Sequence, residues 1–146
     1  MTIALAPRAA RLLTAAWAVF MLVLTSWPSP PEVPVVSSIP NFDKVVHSIL
    51  YGVLGFLLSF AIAWPEGRRR PLMRALFVGA VVAIWGTLDE IHQAWIPSRS
   101  MELGDAVADT TAGFVGALIA SRLRVASDER RLEKQATQSQ RVARST

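Results

Sequence analysis

The chain contains no cysteine. That absence excludes a disulfide framework, a thiol nucleophile and any thiolate metal site. It also lacks charge over most of its long apolar runs: ionisable residues come in blocks and are not spread along the chain. No HExxH or similarly spaced ligand motif occurs, and no nucleophile stands beside a paired base. What remains is a 146-residue chain, enough for one domain, that is 52% apolar with a mean hydropathy of +0.37. Apolar runs separated by charged blocks imply a polytopic membrane protein of all-α class, a four-transmembrane-helix bundle. The net charge of +4 does not imply a nucleic-acid partner, because the basic residues lie in loops and tail beside apolar runs, where they set orientation.

Four spans follow in order. Residues 9–27 form an apolar run after Arg8, interrupted by Arg11, Thr14, Thr25 and Ser26. A signal peptide also starts this way, but the run is long and no small-x-small cleavage site follows it, so it reads as a first helix. Five prolines between Pro28 and Pro40 imply an extended, partly polyproline connector. Asn41 or Asp43 is positioned to cap the next helix. The second span, 45–64, has about the length a bilayer core requires. A turn containing Arg68, Arg69 and Arg70 leads to the third span, 72–91, and the fourth covers 106–123. Asp109, Ala112, Gly113, Gly116, Ala117 and Ala120 form a stripe of small residues at three-four spacing, which implies a packing face. The membrane domain is expected to end near 125, with a basic tail over 126–146 that is disordered beyond about Ala136.

Arginine placement sets an expected topology. Arg8 and Arg11 lie at the N-terminus, four arginines face one Glu in residues 65–74, and the chain from Arg122 on has seven basic residues against three acidic. The connectors 28–44 and 92–104 have one basic residue each. Positive-inside therefore puts both termini and the 65–74 turn in the cytoplasm, with Trp27 and Trp95 at the outer interface and Trp64 at the inner one.

That topology gathers the chemistry. Residues 87–105 pack Asp89, Glu90, His92, Gln93, Arg99, Glu102 and Asp105 between two apolar runs. Asp43, His47 and Tyr51, spaced by four, share one face at the start of span two, beside Lys44. Asp105 and Asp109 open span four. At about 1.5 Å per residue, His47 and Asp109 lie only ~5 Å below their helix starts. Three distant segments thus deliver ionisable groups to one outer layer, where charges need a cavity, a partner or water. Taken alone, Asp43, Lys44, His47 and Tyr51 read as a capped helix start; with Asp89, Glu90, Gln93, Asp105 and Asp109 they read as a binding or proton-relay site whose carboxylates perturb one another or recruit cations. Arg99 is either an internal counter-ion of those carboxylates or a clamp for a phosphate or carboxylate ligand. His47, His92 and the carboxylates are suitable metal ligands, but their spacing supports no site, and His92 lies about 100° from Gln93 around the helix. No metal and no other cofactor is expected.

The segments Asp43-Lys-Val-Val-His47-Ser-Ile-Leu-Tyr51-Gly and Asp89-Glu-Ile-His-Gln93, with Arg99-Ser and then Asp105-Ala-Val-Ala-Asp109-Thr-Thr-Ala-Gly113-Phe-Val-Gly116, resemble the VanZ-like family of small bacterial membrane proteins over about residues 40–120. Asp43, Lys44, His47, Tyr51, Glu90, Gln93, Arg99, Asp105, Gly113 and Gly116 match its pattern; Asp109 departs, that position being commonly Asn. The resemblance implies a cell-envelope protein, in a family named for a member associated with resistance to the glycopeptide antibiotic teicoplanin. Three functions remain open. One is a binding or envelope-modifying protein that engages a lipid-linked cell-wall precursor, an anionic membrane lipid or an amphipathic antibiotic. Another is a membrane enzyme using the carboxylates and His47 for acid–base chemistry on a lipid head group. The third is a structural subunit whose charges only join helices.

Overall fold

In the computed structural model, described for residues 6–28, 41–64 and 70–145, four α-helices follow one another: α1 Pro7–Thr25, α2 Phe42–Ala61, α3 Pro71–Gln93 and α4 Leu103–Ser145. No strand occurs among the described residues. Each helix contains a stretch long and apolar enough to cross a membrane. The proline-rich connector and the turn at 65–69 lie outside the described residues.

The helix ends follow local chemistry. Pro7 and Pro71 stand at the starts of α1 and α3, where a fixed φ is preorganised and the missing N–H is not needed. α2 begins three residues before its expected start. Asn41 takes the N-cap position with φ 57°, in the left-handed region that Asn tolerates, and its side chain makes no capping bond. Of the two residues the sequence suggests, Asn41 is thus the N-cap, without a side-chain bond, and Asp43 lies in the first turn. α3 runs two residues past 91, which carries Gln93 into the helix.

The largest difference is at the C-terminus. α4 does not stop near 123 but continues to Ser145. The segment expected to be disordered is helical, although every described residue from Asp128 onward is exposed. No Gly or Pro interrupts the chain after Gly116, and Arg, Glu, Lys, Gln, Ala and Leu are good helix formers. The helix persists on propensity, without packing.

α2 and α4 run parallel and make the most extensive contact of the bundle. Their approach depends on missing side chains. A Cβ on Gly55 would fall on the carbonyl of Gly113, and one on Gly116 would fall on the carbonyl of Gly52. The expected small-residue stripe is therefore a helix–helix face. α3 lies antiparallel on the other side of α4. A Cβ on Gly113 would enter Val82, while Gly79 faces Phe114 and Gly86 faces Asp109. α1 rests on α2 and barely reaches α3; its Trp17 indole donates to the carbonyl of Leu50 at 2.9 Å.

The apolar core holds Met21, Leu50, Leu54, Val78 and Val82. Large apolar side chains are equally prominent outside: Leu12, Val19, Ile49, Phe77, Ile84, Leu88 and Ile119 are all exposed. A water-soluble protein does not present apolar surface on this scale. The polar groups are inside, as a lipid solvent demands.

The two ends of the bundle differ. At one, Arg124 donates to the carbonyls of Ser59 and Ile62 at 3.2 Å, Arg11 donates to Ala61 at 3.2 Å, and buried Arg74 stacks over Trp64 at 5.3 Å. Arg11 and Arg124 answer the carbonyls left open where α2 ends. The other end holds the carboxylates.

Candidate functional site: a carboxylate layer between four helices

The start of α2, the last turn of α3 and the start of α4 meet at this second end, together with the end of α1. Asp43, Lys44, His47, Tyr51, Asp89, Glu90, Gln93, Asp105 and Asp109 are all brought into this layer. Tyr51, Asp89, Glu90, Gln93, Asp105, Asp109 and His47 are buried. They divide into three connected sets.

The outermost set is centred on Lys44. Its ammonium lies 2.9 Å from Asp43, 3.1 Å from Glu102 and 3.1 Å from Asp105. Asp43 and Glu102 are half open to solvent, whereas Asp105 is nearly covered. Gly104 makes room for this lysine, because a Cβ there would meet Lys44 Cε at 3.0 Å. The counter-ion of the outer carboxylates is thus Lys44.

Arg99 is not the counter-ion of the carboxylates, one of the two roles its sequence context suggested. It follows Ser98, whose φ is 68°. Its Nε donates to the carbonyl of Trp27 and its Nη2 to that of Leu24, both at 3.3 Å. No ion pair joins it to a carboxylate among the described residues. It closes the C-terminal end of α1, a helix end that favours a cation.

The second set is built on Asp89. One carboxylate oxygen accepts from Thr25 Oγ1 at 2.8 Å; the other accepts from Tyr51 OH at 2.9 Å and Gln93 Nε2 at 3.2 Å. Three neutral donors from α1, α2 and α3 thus surround one charge. Charge-assisted bonds of this kind are about twice as strong as neutral ones. Thr25 is a member that sequence reading missed. Its only signal was a hydroxyl at the end of an otherwise apolar run.

The third set is the deepest. His47 Nδ1 lies 3.0 Å from Asp109 Oδ1. The imidazole stacks on the Tyr51 ring, centroids 6.1 Å apart and planes within 7°. Glu90 Oε2 accepts the backbone N–H of Glu102 at 2.9 Å, at the point where α4 begins. Glu90 Oε1 and Asp109 Oδ2 are buried and have no hydrogen-bond partner among the described residues. Ligand atoms of His47, Glu90 and Asp109 all lie within 4.8 Å of one another. Sequence spacing pointed away from a metal, yet three helices bring together a ligand set that no spacing rule along one chain segment can reveal. His92 stands apart from it, half-buried near the end of α3.

Chemically the layer offers a bound ammonium at its rim, a rigid hydrogen-bonded carboxylate beside it, and a buried imidazole with two incompletely satisfied carboxylates beneath. No curated protein and no solved structure matches the chain. The family model described as VanZ/LLP1 matches residues 6–124, which span the bundle and the whole carboxylate layer but not the exposed extension of α4. The chain is therefore a multi-pass membrane protein that belongs to the VanZ/LLP1 family.

Proposed function

We propose that this protein binds an amphipathic envelope molecule at its carboxylate end, with its four helices in a bacterial cytoplasmic membrane and that end facing outward. The ligand classes that fit are a lipid-linked cell-wall precursor and an amphipathic antibiotic, each with amine or other donor groups on its head. The observation that carries this reading is the charge of the layer. Asp43, Asp89, Glu90, Glu102, Asp105 and Asp109 converge there, while Lys44 is the cation among them and Arg99 is engaged on backbone carbonyls. A layer with this excess of acceptors suits a donor-bearing head, and the apolar outer faces of the helices suit a lipid tail alongside. The arginine distribution along the chain supports the outward orientation.

Photo-crosslinking tests this. A benzophenone amino acid at Glu102, on the rim, should yield adducts with wall precursor or added glycopeptide in intact membranes. The same probe at Leu132, on the exposed extension of α4, should not. Adducts confined to bulk phospholipid, or equal at both positions, would overturn the reading.

A second reading, a membrane enzyme acting on a lipid head group, is favoured by the buried His47–Asp109 pair, which has the geometry of an oriented general base. The hydroxyl closest to it in the network, Tyr51 OH, is engaged with Asp89. Comparing head-group composition in a deletion strain tests that alternative: a changed head group that reverts with the wild-type gene but not with His47→Gln would favour it.

A further inference from the structure

We propose that His47, Glu90 and Asp109 bind a divalent transition-metal ion between α2, α3 and α4. This is a property of the protein alone, and it holds whatever envelope ligand the rim accepts. Geometry comes first. Metal bonds of about 2.0–2.2 Å put neighbouring ligand atoms roughly 3.0–3.6 Å apart. His47 Nδ1 and Asp109 Oδ1 already stand 3.0 Å apart, and the whole set lies within 4.8 Å, a spread that carboxylate rotation closes.

The second observation is independent of that proximity. Glu90 is 1% exposed and Asp109 is 0% exposed, yet Glu90 Oε1 and Asp109 Oδ2 have no hydrogen-bond partner among the described residues. Buried acceptors are almost always satisfied, and each orphan costs about 1–3 kcal/mol. Glu90 and Asp109 with a neutral imidazole sum to two negative charges in a low-dielectric layer, which a divalent cation balances.

The surroundings match what a metal site needs. The other Glu90 oxygen is fixed by the Glu102 N–H, and His47 is fixed by stacking on Tyr51, itself held by Asp89. A Cβ at Gly86 would come within 3.2 Å of Asp109 Oδ2, so the glycine leaves that oxygen its space. One imidazole and two carboxylates select zinc, manganese, cobalt or nickel over magnesium and calcium, which prefer oxygen alone. The neighbouring carboxylates Asp43, Glu102 and Asp105 also lie close together, but Lys44 occupies their centre and they make a matched control.

The test uses the full-length, tag-free protein in detergent, stripped with chelator and titrated with zinc and with cobalt. Binding of one ion per chain is expected, with a rise in thermal stability. X-ray absorption of the zinc-loaded parent should show one imidazole nitrogen in an otherwise oxygen shell. Glu90→Gln and Asp109→Asn, which are nearly isosteric, should each weaken binding at least tenfold, while Asp43→Asn combined with Glu102→Gln should change it less than twofold. No stoichiometric binding by the parent, a shell without imidazole, or affinity lost only in the Asp43/Glu102 variant would overturn the site. The spectroscopy of the parent decides the matter even if a variant fails to fold.

Discussion

Asp89→Ala measures whether the second set of the layer holds the bundle together. Removing the carboxylate takes the acceptor from Thr25, Tyr51 and Gln93 at once. These losses are unequal. Thr25 Oγ1 also lies 3.0 Å from the carbonyl of Met21, so it keeps a partner. Tyr51 has no exposed surface, and its hydroxyl has no second acceptor among the described residues. Gln93 is buried as well. A stranded buried donor costs about 1–3 kcal/mol, while membrane hydrogen bonds measured by double-mutant cycles average only about 0.6 kcal/mol. Two stranded donors and a small cavity therefore predict a loss of about 2–4 kcal/mol. The measurement is reversible unfolding in mixed micelles as the denaturing detergent fraction rises, followed by circular dichroism. Tyr51→Phe in the Asp89→Ala background should cost much less than in the parent, because the hydroxyl it removes is already stranded. The combination Tyr51→Phe, Gln93→Leu and Asp89→Leu should recover most of the loss, since it removes the charge together with the two donors it would strand. A loss for Asp89→Ala below about 0.5 kcal/mol, or strict additivity with Tyr51→Phe, would refute the network as a stabilising element.

Gly116→Leu should push α4 from α2 and reduce folded protein in the membrane, costing at least about 2 kcal/mol; normal abundance and melting temperature would contradict the Gly52–Gly116 contact. Lys44→Met should lower thermal stability by less than Asp89→Ala does, and adding Asp105→Asn should restore part of it; a worse double variant would deny the ion pair. Arg99→Ala should cost about 1 kcal/mol through the end of α1, measured by the same unfolding assay, whereas unchanged stability with abolished function would return Arg99 to the role of ligand clamp. For the proposed orientation, Ser98→Cys should react with a membrane-impermeant thiol reagent on spheroplasts and Gly67→Cys only after permeabilisation, the reverse pattern inverting the bundle.

Much of this arrangement was legible in the sequence because it depends on length and polarity alone. Four apolar runs fixed four helices, and alternation of direction put the starts of α2 and α4 beside the end of α3. The stripe containing Gly113 and Gly116 showed which face of α4 is covered. What it could not show is rotation. The pairing of Asp109 with His47, and of Lys44 with Asp105, depends on how far each helix is turned about its own axis. That angle is set by contacts such as Gly55 on Gly113, which involve backbone and leave no side-chain signature. The bonds of Arg99 to the end of α1 were not legible, because loop residues have no period from which to read their direction. The helical extension of α4 was missed because a polar composition without packing reads as a solvated tail, although its residues are good helix formers.

Charge in this bundle follows the helix dipole only in part, since Lys44 and buried Arg74 stand in the first turns of α2 and α3 against it. Asp43 and Asp105 stand in the first turns of α2 and α4, where anions are favoured, and Asp109 lies one turn further along α4. Arg99 closes α1, and Arg11 and Arg124 close α2, where cations are favoured. Asp89 and Glu90 break the rule: they occupy the last turn of α3, the negative end, and are buried there. Both must be compensated by something local. Asp89 is compensated by three donors. Glu90 has a single backbone N–H for one of its two oxygens. A carboxylate at the wrong end of a helix, buried and half satisfied beside the equally half-satisfied Asp109, is not explained by folding. Deviations from local rules that lack compensation inside the fold are expected at working sites, and here the deviation and the convergence of ligands fall on the same residue.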